Sequence, residues 1–393
     1  MVFIQSTGMI CPMGGDGQAL RHALRTGMSP GIVARDGWLV TGEPCVVGEV
    51  STALPEIPLH LGRHNSRNNQ LLLAAVMSMM SLLEDAVARF GRDRIGVILG
   101  TSTSGLEEGF AGIRNFRNSG EFPDGYAYEQ QELGDPSMFL SEFLGLRGPS
   151  YTISTACSSS SRAIISGQRL LKSGVVDAVL VGGSDSLCHM TLNGFYSLEA
   201  LSRRGCRPFA RERDGITIGE AAALLLMTRE PSPISLAGVG ESSDAYHISA
   251  PHPEGVGAIS AMRRALDDAG CEPAEVGYVN LHGTGTPLND EAESLAVNAV
   301  FGAETPCSST KHLTGHALGT CGALEAVIGV ELLLESKPVL PFQNMTPEER
   351  DPVLAPIGLI LKQSPVSLEH PMILSNSFAF GGNNTALLFR RET

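Results

Sequence analysis

Short apolar runs closed by Gly, Ser or Pro alternate along this chain with longer stretches of helical periodicity, which is the pattern of an α/β protein. Ile95–Gly100 (IGVILG) reads as a buried strand after a helix over 71–90. A helix that begins near Cys157 continues through 166–173 and leads to a strand at 177–182 (DAVLVG); Ala221–Thr228 (AAALLLMT) is another strand. In the later half, strands are predicted at 277–281, 373–376 and 385–389, with helices near 256–269, 289–300 and 322–335.

These elements echo one another across the chain. RIGVILGTSTS (94–104) and VGYVNLHGTGT (276–286) each run from a strand into a Gly-Thr turn. GEAAALLLMTRE (219–230) and GGNNTALLFRRET (381–393) each close a half with an apolar strand, and the helix over 158–173 is matched by one over 322–336. Chance likeness between strands is the plainer alternative. The duplicated reading divides the chain into halves 1–235 and 236–393, with loops of both meeting at their interface. No Pro-rich or low-complexity linker separates them, so they are expected to share one core.

Composition narrows the functional classes. The 393 residues are 42% hydrophobic and 18% charged, as in a globular protein. A net charge of −14 argues against nucleic acid as the main partner, which demands a basic surface. The eight cysteines form no CxxC pair and have no histidines at zinc spacing, so no metal site is expected. They read as thiols of a reducing compartment. With no signal-like N-terminus and no apolar run long enough to span a bilayer, a cytoplasmic location away from membranes is expected.

Four segments carry candidate chemistry. Ser154-Thr155-Ala156-Cys157-Ser158-Ser159-Ser160 lies between a strand-like YTIS and a helix. That places Cys157 at a helix N-terminus, where free N–H groups and the helix dipole favour a thiolate. Alone, a buried structural cysteine fits the segment equally well. His282 sits on the Gly-rich turn HGTGTP after a strand, where an imidazole can face a cleft or simply be a satisfied loop residue. Lys311 and His316 lie in STKHLTGH before a helix carrying Glu325; positive charge is disfavoured there, so a neutral, donating His316 is expected. In NSFAFGGN (376–383) the paired glycines permit unusual backbone angles, and Phe378 and Phe380 can line a tunnel. Together, a nucleophilic cysteine, two histidines and a lysine on separate loops point to acyl-thioester chemistry.

With these motifs in this order, the chain resembles the β-ketoacyl-acyl-carrier-protein synthases of thiolase-like fold. The resemblance runs from VFIQSTGMICPMG through STACSSS, CRPFARERDG, DAYHISAPHPEG, HGTGTPLNDEAES and KHLTGHALGTCGALEA to NSFAFGGNN. It implies a duplicated α/β fold in five layers, αβαβα. It also implies that Cys157 takes an acyl group from a carrier-protein thioester, the oxyanion held by the N–H groups of Cys157 and Phe380. His282 and His316 would bind the malonyl carbonyl and stabilise the enolate formed as CO₂ leaves. Lys311 and Glu325 would orient the histidines, Thr284 and Thr286 would bind the phosphopantetheine arm, and Phe380 would gate the nucleophile. No cofactor is implied beyond that arm, which brings the substrates on acyl carrier protein.

Some positions depart from the housekeeping pattern. Ala379 stands where many relatives have glycine, which touches the mobility of the gate, and Ala210 replaces an aspartate. The stretch between 200–202 and Arg207 is short, and Thr103 replaces a bulkier tunnel residue, which would suit a primer other than a plain saturated chain. With RNNQLLLAA after Ser66, these traits resemble the synthases of bacterial aryl polyene clusters, some of which pair with a silent chain-length-factor subunit. Implied partners are therefore acyl carrier protein and a second subunit, identical or chain-length-factor-like. Arg63, Arg67, Arg203, Arg204, Arg207, Arg211 and Arg213 are candidates for docking the acidic carrier. Two readings stay open beside this one: a thiolase-like acyltransferase acting on coenzyme A thioesters, and a non-catalytic partner subunit. The first would need a second cysteine near the C-terminus as acid/base, and the last cysteine here is Cys321; the second conflicts with the presence of Cys157.

Overall fold

Runs such as Ile95–Gly100 and Ala221–Thr228 are buried at every position, so the strands they form must be covered on both faces. The computed structural model describes residues 1–363, 368 and 370–392. Its main sheet has eleven strands: β1 (Val2–Ile10), β2 (Ile95–Gly100), β3 (Ser150–Ile153), β4 (Ala178–Asp185), β5 (Ala221–Thr228), β6 (Ile234–Ser243), β7 (Tyr278–Asn280), β8 (Pro306–Ser308), β9 (Gly358–Leu359), β10 (Met372–Phe378) and β11 (Asn383–Arg391). Their spatial order is β9-β8-β7-β10-β11-β6-β1-β5-β4-β2-β3.

That order is a duplication. Outward from β1 the first half runs β1, β5, β4, β2, β3; outward from β6 the second runs β6, β11, β10, β7, β8, with β9 added at the edge. The pairings match step for step: β2 is parallel to β3 and β4, β7 is parallel to β8 and β10, and the remaining pairs are antiparallel except the added edge pair β8–β9, which is parallel. The halves meet where Val2, Phe3 and Ile4 pair with Leu236, Ser235 and Ile234.

Six helices position the site: α1 (Arg67–Met77), α2 (Met80–Phe90), α3 (Ser159–Lys172), α4 (Val256–Ala269), α5 (Pro287–Phe301) and α6 (Cys321–Leu334). The sequence of α6, CGALEAVIGVELLL, is apolar nearly all round, as a helix covered on every side requires. It packs on β10 and β11 of its own half, on β5 and β1 of the other, and on α3. Helix α3 likewise touches β4, β2 and β11. These two helices form the middle layer, with α1 outside the first half-sheet and α4 outside the second, giving αβαβα.

The single helix expected over 71–90 is two. α1 starts four residues earlier, behind Ser66, whose Oγ accepts from the Asn69 N–H at 3.2 Å. It ends at Met77, and α2 departs at 76°. Ser78 explains the break: its Oγ donates to the Ala75 carbonyl at 2.7 Å and competes with the helical ladder. Among the described residues no single helix is long and apolar enough to cross a membrane. The alternating β1 and β6, which join the halves, went unpredicted, as did a small sheet of Ile32–Arg35, Cys45–Gly48 and Ile218–Gly219.

Candidate active site

Cys157 stands on the turn between β3 and α3. The preceding Ala156 has φ +51°, a left-handed conformation that costs a non-glycine residue about 1–2 kcal/mol. Ser159 offsets that strain: its Oγ donates to the Ala156 carbonyl at 2.5 Å and accepts from the Thr155 N–H at 2.9 Å. The turn carries the thiol off the strand into an interior pocket, where Cys157 is 6% exposed. Here the structure corrects the expected thiolate. Burial pushes the Cys157 thiol up to about 11, although the Phe380 N–H, the Lys311 charge and Cys157's own N–H all pull it down. At neutral pH Cys157 rests as a thiol.

His282 follows β7 on a loop clamped by two buried carboxylates of α5. The His282 and Gly283 N–H groups donate to Glu293 at 2.7 and 2.6 Å, and those of Thr284 and Gly285 donate to Asp290, each at 3.1 Å. Gly283 is required at its position: φ is +37°, and a Cβ would lie 2.5 Å from the Ser309 Cβ. The His282 ring is buried, and among the described residues neither ring nitrogen has a hydrogen-bond partner. Burial, then Lys311 and His316, hold its pKa well below the ordinary value, so it is neutral.

His316 meets it edge to face, the ring centroids 5.4 Å apart and the planes at 89°. Its Nδ1 accepts the Leu318 N–H at 3.1 Å, which leaves the ring proton on Nε2. Burial and Lys311 lower its pKa to about 3, so the neutral, donating His316 expected from the sequence is present. Lys311, fully buried at the start of a short helix, pairs with Glu325 of α6. Burial alone would lower the Lys311 ammonium, but Glu325 and Cys321 outweigh it, and it stays charged.

Sγ of Cys157 and one ring nitrogen each from His282 and His316 lie within 4.8 Å of one another. A soft cation would find three ligands of suitable type there, one thiol and two imidazoles. The Leu318 bond argues against it, because a protonated Nε2 on His316 donates rather than ligates.

The Phe380 hairpin closes the pocket. Gly381 (φ +82°) and Gly382 (φ +75°) make the turn; a Cβ on Gly382 would lie 2.8 Å from the Asp244 Cβ. Ala379 is not among the residues with positive φ, so alanine costs nothing there; the freedom of the hairpin lies in the two glycines. The Phe380 ring touches Phe195 at 5.7 Å, and Phe378 lies 6.3 Å from His282. The hydroxyls of Thr284, which is buried, and Thr286, which is half-buried, bond each other at 2.9 Å.

Three expectations change. Thr103 is fully buried with its hydroxyl committed to Asp185 at 2.9 Å, so it offers no free polar group to a tunnel. Of the arginines, Arg67 is half-buried and tied to the buried Glu220 at 2.5 Å, and Arg213, 7% exposed, bonds Asp351 at 2.6 Å. Arg63 and Arg207 pair with Glu142 and Glu349, and Arg204 reaches Glu212 at 3.4 Å; among the described residues Arg203 and Arg211 are exposed and unpaired. The sequence reading also missed that Cys321 belongs to the site. Its thiol donates to the Cys157 carbonyl at 3.3 Å and lies within 4.8 Å of His282 and Glu325. Burial raises its pKa well above the ordinary value, which makes it a poor acid/base of the thiolase kind. The spacing D-E-A-E at 290–293 was the only available signal for the clamp on the His282 loop.

Comparison with known proteins agrees with this geometry. Residues 61–232 match the β-ketoacyl synthase N-terminal domain family and residues 234–346 match its C-terminal domain. The chain is 34% identical to 3-oxoacyl-[acyl-carrier-protein] synthase 2 of Staphylococcus aureus, over 76% of this chain and 75% of that protein. It is 32% identical to the chloroplastic 3-oxoacyl-[acyl-carrier-protein] synthase I of Hordeum vulgare, over 84% and 76%. Among solved structures, the ketosynthase ApeO in complex with its chain length factor ApeC, from Xenorhabdus doucetiae, superimposes with a TM-score of 0.96 and 53% identity, covering 100% of this chain and 98% of that one. With both domains matched and the thiol and two histidines gathered in one buried pocket, the chain belongs to the β-ketoacyl-acyl-carrier-protein synthases, enzymes that condense malonyl and acyl thioesters with loss of CO₂.

Proposed function

We propose that this chain elongates an acyl group held on Cys157, with His282 and His316 serving the malonyl half-reaction. The observation that carries the reading is the convergence of the Cys157 thiol, both histidine nitrogens and the Phe380 N–H in one buried pocket. The nucleophile arises from the first half, 1–235, and the histidines from the second, 236–393.

In the loading step the Cys157 thiol attacks the acyl thioester and the carbonyl oxygen takes negative charge between the N–H groups of Cys157 and Phe380. Because the thiol rests protonated, its proton must leave as the C–S bond forms, and it passes to the departing phosphopantetheine sulfur. In the second step the malonyl carboxylate leaves as CO₂, and the electron pair passes into an enolate whose oxygen takes hydrogen bonds from neutral His282 and from Nε2–H of His316. The enolate carbon attacks the Cys157 acyl carbon. Collapse expels the sulfur, which takes from solvent the one proton that the condensation consumes, and releases a β-ketoacyl thioester two carbons longer. The buried Lys311 ammonium favours negative charge throughout and, with Glu325, fixes the loop bearing His316. Thr284 and Thr286 line the approach of the phosphopantetheine arm.

A second subunit of chain-length-factor type is supported by 53% identity to a ketosynthase solved with its chain length factor. It is also supported by exposed Phe110, Ile113 and Phe116 on the helix Leu106–Ser119 and by Tyr151 on the edge strand β3. Arg203, Arg204 and Arg211 suit an acidic carrier protein, and eight free cysteines suit a reducing cytoplasm. Aryl polyene synthesis is the pathway proposed from the traits at 66–75 and 200–210.

Two expected results test this. His282→Ala and His316→Ala each lower malonyl decarboxylation by about 10²-fold or more while acyl loading of Cys157 falls far less; equal loss of both half-reactions would assign the histidines a structural role. Co-expressed with a chain-length-factor subunit, the chain purifies as a 1:1 complex that outperforms the chain alone. Full activity of the isolated chain would remove the need for that partner.

A further inference from the structure

The turn after His316 is built in an unfavourable way. Leu318 has φ +45°, a left-handed conformation that a branched side chain rarely adopts. That conformation accompanies the Leu318 N–H pointing back at His316 Nδ1, the bond that fixes the ring proton on Nε2. Something must hold the turn against its strain. Thr320 N–H closes it onto the Ala317 carbonyl at 2.9 Å, and Thr320 Oγ1 donates to Asp185 Oδ2 at 3.0 Å. Gly319 lies so close that a Cβ would stand 3.0 Å from both Asp185 Oδ2 and the Ser102 N.

Asp185 ends β4 in the other half of the molecule. Its Oδ1 accepts from the Ser102 N–H (2.7 Å), the Thr103 N–H (2.8 Å), the Thr103 hydroxyl (2.9 Å) and the Thr101 hydroxyl (3.1 Å). The side chain is fully buried, and no cation pairs with it among the described residues. A buried carboxylate without a counter-ion is costly unless hydrogen bonds compensate it. Burial raises its carboxyl to about 6, and the donors that surround it oppose that rise, so it is mainly ionised at neutral pH. The carboxylate thus ties the 101–103 turn of the first half to the strained turn of the second.

We infer that Asp185 and Thr320 are positioning residues for His316: the carboxylate of one half, through the Thr320 hydroxyl, holds the Leu318 turn that fixes the His316 tautomer. Neither residue touches substrate in this account, and the inference rests on His316 serving malonyl decarboxylation.

The test compares half-reactions in the assembled enzyme. Thr320→Val keeps the side-chain shape and removes the hydroxyl. It is expected to slow release of labelled CO₂ from malonyl-acyl carrier protein about tenfold, as loss of one orienting hydrogen bond would. Acyl loading of Cys157, read by intact mass, should stay within about twofold, since the Thr320 hydroxyl bonds Asp185 and the Cys157 turn is held by the Ser159 hydroxyl. Thr320→Ser, which restores the hydroxyl, should recover decarboxylation. If Thr320→Val proves too unstable to assay, Thr320→Ala should show the same split. Loss of both half-reactions by one factor, or no loss in either, would overturn the inference. His316→Ala, run alongside, separates the two layers: if it leaves decarboxylation intact, the role given to His316 fails and this inference with it.

Discussion

Replacing Cys157 with alanine is expected to lower condensation by about 10³-fold or more, because no other group in the pocket can hold the acyl chain. The nearest thiol, Cys321, is bonded to the Cys157 carbonyl, and burial keeps it protonated. Fold and stability should change little: the turn is fixed by Ser159 and by the left-handed Ala156, not by the sulfur. Malonyl decarboxylation should survive in this variant, since His282 and His316 keep their loop clamps. The check is product analysis by mass spectrometry beside labelled CO₂ release. Condensation at the wild-type rate would dismiss Cys157 as nucleophile.

The second large effect is on stability. Lys311→Met leaves the Glu325 carboxylate in a fully buried site without its counter-charge, and breaking one side of such a pair costs about 3–5 kcal/mol. Burial then acts alone on Glu325, whose carboxyl already stands at about 7 with Lys311 present, so it takes up a proton instead of remaining charged. The double variant Lys311→Met/Glu325→Leu should regain much of that loss, because an apolar pair suits the site. Denaturant unfolding measures both. A single variant within about 1 kcal/mol of wild type would show that the pair is not the strut described here.

The sequence made the architecture legible where the pattern was strong. Fully buried β2 and β5 and the helix over 256–269 emerged with their bounds intact, and the echoes between 94–104 and 276–286 mark β2 and β7, which occupy equivalent places in the two half-sheets. Helix α1 shows the limit: its apolar positions run on through Met77, Met79 and Met80, and only the Ser78 hydroxyl, bonding backward, breaks the run. Within the site, Cys157, His282, His316, Lys311 and Glu325 were readable because each sits in a motif, and they do converge. Asp185, Asp290, Glu293 and Cys321 were not, because their roles depend on which backbone N–H groups or carbonyls the fold brings to them. The thiolate expected at Cys157 failed for a related reason: a helix terminus is visible in a sequence, whereas the depth of burial that outweighs it is not.

The central claim is that Cys157 holds the growing chain, and intact-mass measurement after incubation with acyl carrier proteins bearing different primers tests it most directly. The wild-type chain, alone and with a chain-length-factor subunit, should gain the mass of one acyl group, and Cys157→Ala should gain none. An acyl adduct of equal extent on Cys157→Ala, or none on the wild-type chain with any primer, would contradict the account.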